Sequence, residues 1–174
     1  MKAPANHPNK LVNLVWQLHM KIASFSAHLI GPTVFNVGIK EPGCKLSTAD
    51  LLSFPDGTVG KNLGEFFKKN KFEPIAGAES HDLYHVLFDF SSSFKDEVAL
   101  QFFLRGNGKN SIASFSTSIG AWCLLPTQWS YLKASYERGK KCGDISKLDL
   151  KAILFQDRED ARLILFKERI KTNI

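Results

Sequence analysis

The segment Ser80-His81-Asp82-Leu83-Tyr84-His85-Val86-Leu87 contains the side chains in this sequence whose types and spacing best suit chemistry. On a helix, residues four apart share a face, so His81 and His85 project side by side about 6 Å apart. Asp82 stands one step round from His81, at the edge of that face. Two imidazoles so placed can grip one divalent cation, as paired histidines do in helical zinc sites. Glu97 follows His85 by twelve positions. A tight reversal at Ser91-Ser92-Ser93 would pack the next helix antiparallel and bring Glu97, in its second turn, to the level of His85. Crowding two carboxylates and two imidazoles together costs several kcal/mol in repulsion and lost solvation, roughly the penalty of an uncompensated buried charge, and a dication removes it. The expected ligands are His81, Asp82, His85 and Glu97. Zinc is the first expectation for the ion, with iron(II), manganese or magnesium as alternatives. Tyr84 could donate a proton or simply pack against a neighbour. Asp89, eight residues after His81, could orient a ligand histidine or stand solvated.

Apolar residues recur at steps of three and four along much of the chain, and no stretch alternates apolar and polar for six residues between turn signals. The expected fold is all-α: a single-domain helical bundle of about six to eight helices spanning residues 1–174, with 1–9 a flexible terminus. Leu11 to Ile30 reads as an amphipathic helix closed by Gly31-Pro32, followed by a loop over 31–46. Ser47 caps a short helix through Leu52, and Thr58 caps one carrying Val59, Leu63, Phe66 and Phe67. A helix near Ser80 to Phe90 carries the histidines. Ser93 caps Phe94 to Arg105, closed by Gly106-Asn107-Gly108. Ser111 to Leu125 reads as a small-residue-rich buried helix, and Thr127 to Lys140 and Asp157 to Ile170 complete the set.

The chain has 174 residues, 44% hydrophobic and 23% charged, which places it among globular proteins and excludes a disordered chain. Three cysteines without C-x-x-C spacing argue against a disulfide framework or a cysteine zinc knuckle, and for a reducing compartment. The net charge is +6, but no run of five basic residues occurs, so nucleic acid is not expected as a partner. The Leu11–Ile30 stretch is broken by Asn13, Gln17, His19, Lys21 and His28, which excludes it as a membrane span or secretory signal. The fourteen phenylalanines, several near the histidines in sequence, suit either a dry tunnel for an isoprenoid chain or an ordinary core.

His81-Asp82-x-x-His85-x11-Glu97 resembles the H-D-x-x-H-x11-E signature of the coenzyme Q biosynthesis protein 4 family. The turn Pro55-Asp56-Gly57-Thr58-Val59-Gly60, with Phe66 or Phe67 after it, and the closing stretch from Arg169-Ile170 to Ile174 are similar to that family too. The segment between Gly60 and His81 is shorter than in the ubiquinone proteins. The resemblance implies an all-helical protein of ubiquinone biosynthesis with a divalent metal on His81, Asp82, His85 and Glu97. It implies oxidative decarboxylation of a prenylated hydroxybenzoate-like ring, in which a hydroxyl replaces the carboxyl group. Further implied partners are an isoprenoid or prenylated aromatic lipid and other quinone-biosynthesis enzymes; a homodimer is left open. The implied location is cytoplasmic and peripheral, on the inner face of the membrane, or on the matrix side of the mitochondrial inner membrane in a eukaryote. The alternative is a non-catalytic lipid-binding scaffold that organises a quinone-biosynthesis complex. An HD-type phosphohydrolase is disfavoured, because the remaining histidines, His7, His19 and His28, all lie near the N-terminus.

Overall fold

The computed structural model of the chain describes residues 46–74, 79–109 and 126–172. These form seven α-helices: α1 (Thr48–Leu52), α2 (Val59–Asn70), α3 (Glu79–Phe88), α4 (Phe94–Asn107), α5 (Trp129–Lys141), α6 (Leu150–Ile153) and α7 (Arg158–Thr172). Single 3-10 turns lie at Pro126–Gln128 and Ile145–Lys147. There is no strand among the described residues; Thr58 and Asp157 make an isolated antiparallel bridge. The fold is all-α, as the sequence pattern implies. The Leu11–Ile30 helix, the loop up to residue 45 and the Ser111–Leu125 helix lie outside the described residues, as do 1–9. No helix among the described residues is long and apolar enough to cross a membrane.

The caps fall where the sequence places them. Ser47 and Asp50 exchange hydrogen bonds in a capping box at α1, Thr58 accepts from the Lys61 N–H at α2, and Ser93 accepts from the Asp96 N–H at α4. Each satisfies an N–H that the helix cannot pair itself. The N–H groups of Val59 and Gly60 donate to the carbonyls of Gln156 and Leu154, at 2.9 Å each. The start of α2 is thereby tied to the link between α6 and α7.

The core gathers Leu63 and Phe67 of α2, Leu83, Leu87 and Phe88 of α3, Leu100 and Phe103 of α4, and Leu132 of α5, all buried. The most extensive helix–helix contact is between α4 and α5, followed by α1 with α2 and α2 with α3. Gly106 and Gly139 make the α4–α5 approach: a Cβ on either would collide with a backbone carbonyl of the other helix, that of Tyr136 or Phe103. Gly106 is therefore not part of the expected helix stop but the crossing point itself. Gly108, in the left-handed region at φ 100°, closes α4. Asn107 reaches across to the carbonyls at the end of α5: Gly139 and Cys142 at 3.2 Å each, and Gly143 at 2.7 Å.

The structure departs from the sequence reading at several helix ends and in one added element. The histidine helix stops at Phe88 rather than Phe90, because Asp89 turns into the left-handed region at φ 55°. The fifth helix opens with a 3-10 turn at Pro126–Gln128 before Trp129. The short helix α6 was not expected; Asp149 nucleates it by accepting from the N–H groups of Lys151 and Ala152.

Candidate metal centre

Helix α3 presents His81 and His85 on one face, and α4 presents Glu97 toward them. The Nε2 atoms of the two histidines lie 3.1 Å apart. Glu97 spans the pair, with Oε2 3.2 Å from His81 Nε2 and Oε1 3.2 Å from His85 Nε2. Glu97 lies in the first turn of α4, not the second. Nor do α3 and α4 form the close-packed hairpin that the serine turn suggested. The two helices are bridged at this level by the side chains of His81, His85 and Glu97.

The position of each ring is set by its surroundings. His85 is buried at 2% exposure. Its Nδ1 lies 3.2 Å from the Phe90 carbonyl oxygen, so Nδ1–H donates there and Nε2 is turned toward His81 and Glu97. Phe66 of α2 stacks on the His85 ring at 5.5 Å between centroids and 24° between planes. The end of α2 is held in turn by Asn70, whose side-chain oxygen accepts from Ser92 Oγ at 2.6 Å. His81 meets His85 edge-on, with centroids 4.9 Å apart.

Four lone-pair-bearing atoms thus converge on one point, and they repel unless a proton or a cation lies among them. Burial disfavours the charged form of both residues, yet the mutual interaction outweighs it. Hydrogen bonds from His81 and His85, reinforced by their charge, hold the Glu97 carboxyl at a pKa of about 2. Burial likewise opposes protonation of His85, but the bond to Glu97, the negative charge of Glu97, the Phe90 carbonyl and the charge of Asp82 raise its pKa overall.

The donor set fits a metal. His81, His85 and Glu97 each offer one ligand atom, and all three atoms lie within 4.8 Å of one another. A tetrahedral ion about 2.05 Å from nitrogen needs donor–donor edges of about 3.3 Å, and an octahedral ion at about 2.1 Å needs about 3.0 Å. The edge between the two histidine nitrogens, 3.1 Å, lies between these limits, and Glu97 meets each histidine at 3.2 Å through a different carboxylate oxygen. Two nitrogens with a carboxylate are the donors that zinc, iron(II) and manganese take. Asp82 does not belong to this group of three, although its charge acts on His85.

The other residues singled out in the sequence have defined places. Tyr84 is buried at 3% exposure, and its hydroxyl accepts from Lys109 Nζ at 3.1 Å, so it packs against a neighbour. Asp89 is neither solvated alone nor bonded to a histidine; it pairs with Arg158 at 2.9 Å and with Arg162, both on α7. Phe67, Phe88, Phe90 and Phe103 are buried in the core, while Phe66 backs His85. The roles of Phe66 and of the Phe90 carbonyl had no signal in the motif. The run of phenylalanines was the one hint of the former.

No family model matches this chain, and no curated protein matches it. Among solved structures it is similar to a proposed ubiquinone biosynthesis protein from Nostoc punctiforme PCC 73102, with a TM-score of 0.58 and 17% identity, over 86% of this chain and 80% of that one. At this identity the two share a fold.

Proposed function

We propose that this protein binds one divalent metal ion through His81, His85 and Glu97, with the charge of Asp82 acting on the site through His85, and acts on a prenylated aromatic acid in ubiquinone-type quinone biosynthesis. The observation that carries the reading is the convergence of two Nε2 atoms and one carboxylate, 3.1–3.2 Å apart, on a point that demands positive charge. Two likenesses support the biosynthetic context: the spacing of the motif and the fold shared with the Nostoc protein. A bound ion of this kind supplies Lewis acidity and, as iron(II) or manganese, access to dioxygen chemistry.

The residues divide the work of the site. His85 forms its dry wall, closed on one ring face by Phe66 and tethered at Nδ1 by Phe90. The Glu97 side chain, 41% exposed, forms the open wall from which a substrate carboxylate can approach. In the proposed reaction the ring carbon loses its carboxyl group as carbon dioxide and gains a hydroxyl from water, and dioxygen accepts the two electrons and two protons released and leaves as hydrogen peroxide.

The test is incubation of metal-loaded protein with a prenylated 4-hydroxybenzoate in detergent under air, followed by mass spectrometry. Release of carbon dioxide and a hydroxylated ring from the wild type, but not from His81→Ala, supports the enzyme reading. Retention of the prenylated compound without turnover replaces it with the lipid-binding scaffold. Neither retention nor turnover overturns both.

A further inference from the structure

The metal reading names the ligands but not what holds His85 in the ligating orientation, and the structure assigns that task to Asp89. This inference rests on the metal reading for its consequence, though not for its geometry. Asp89 follows the last residue of α3 with φ 55°, a conformation that costs most residues roughly 1–2 kcal/mol and that Asp tolerates better than most. The left-handed turn has two local results. The Phe90 N–H folds back onto the His85 carbonyl at 2.9 Å, and the Phe90 carbonyl is brought within 3.2 Å of His85 Nδ1. One residue in an uncommon conformation therefore sets both the end of the helix and the tautomer of the ligand.

The conformation is clamped from outside. Arg158 and Arg162, one turn apart on α7, both bind the Asp89 carboxylate, one on each oxygen. Glu159 bridges the same two guanidinium groups from below, at 2.7 Å and 3.4 Å. The clamp joins residues nearly 70 positions apart in sequence and makes α7 part of the support of a centre built on α3 and α4. Asp89 is thus a positioning residue: it acts on the ion only through Phe90 and His85. Partners of this kind behind metal-bound histidines change affinity by about 10- to 100-fold when removed.

Two readouts test this. The first is zinc or cobalt(II) affinity by competition with a chromophoric chelator. The second is the His85 Nδ1–H proton, which should appear as a slowly exchanging downfield NMR signal in the metal-free and zinc-loaded protein alike. Asp89→Ala should weaken metal binding about 10-fold or more and abolish that signal. Asp89→Asn, which keeps the shape, the tolerance of positive φ and an acceptor for the arginines, should restore the signal and most of the affinity. Arg162→Gln should fall between the two, and it serves as the test if Asp89→Ala does not fold. Wild-type affinity with a persistent Nδ1–H signal in Asp89→Ala, or in Arg162→Gln when that variant is the test, would overturn the inference. So would equal losses in the Ala and Asn variants. If the wild type binds no metal, the metal reading fails separately, and the Nδ1–H signal still decides the role of Asp89.

Discussion

Substituting Gly139 with alanine tests the packing that holds α4, and with it Glu97, in place. In an isolated helix the change gains about 1 kcal/mol, because alanine is the better helix former. Here the new Cβ would run into the carbonyl oxygen and carbon of Phe103, which belong to helix backbone and cannot rotate aside. The helices must separate, and overpacking of this kind costs about 1–3 kcal/mol or more. The collision involves backbone on both sides, so the upper part of that range should apply and exceed the propensity gain. The net loss is then about 1–2 kcal/mol; for a chain of this size each kcal/mol shifts the melting temperature by roughly 2–4 °C, and we expect Gly139→Ala to melt about 2–8 °C below the wild type by circular dichroism. Gly108→Ala separates sterics from backbone strain: that position has φ 100° but, among the described residues, no atom within 4 Å of the added Cβ. It should cost no more than the roughly 1–2 kcal/mol of a left-handed residue. A Gly139→Ala protein as stable as the wild type would refute the close α4–α5 crossing.

Two other outcomes follow from the same geometry. Asn107→Ala removes the side chain that meets the Gly139, Cys142 and Gly143 carbonyls and receives the Ile145 N–H; the orphaned groups should cost about 1–3 kcal/mol in urea denaturation. In the metal-free protein, Glu97 titrates at about 2 when folded against an ordinary 4.5. Its contribution is full above 4.5 and lost as pH falls toward 2, so the stability of the wild type should decline through that window and that of Glu97→Gln should decline less. The raised His85 works in the opposite sense: its contribution is full below 6.5 and fades as pH rises through its folded value.

Local chemistry made the caps legible. Ser47, Thr58 and Ser93 are small polar residues immediately ahead of apolar periodicity, and each cap is decided within four residues. The His81–His85 pair was legible for the same reason, since helical spacing alone fixes it. Glu97 required the turn between two helices to be guessed. Its partners are as expected, but its route is not, because side chains rather than backbone packing close the gap. Gly106 stands beside Asn-Gly and so reads as a helix stop, whereas its reason is the Tyr136 carbonyl of α5, 30 residues away. Asp89 shows the limit most plainly. Eight residues after His81 it could orient a histidine or stand solvated, but the chain has already left the helix there, and its arginine partners lie on α7.

The central claim is that His81, His85 and Glu97 hold one divalent ion, and cobalt(II) titration of metal-free protein, read by its d–d absorption and by elemental analysis, tests it most directly. The account predicts a saturating signal at one ion per chain that zinc displaces, strongly weakened in Glu97→Gln and absent in His85→Ala. A wild type that binds no cobalt or zinc, or a His85→Ala variant that binds them equally well, would contradict it.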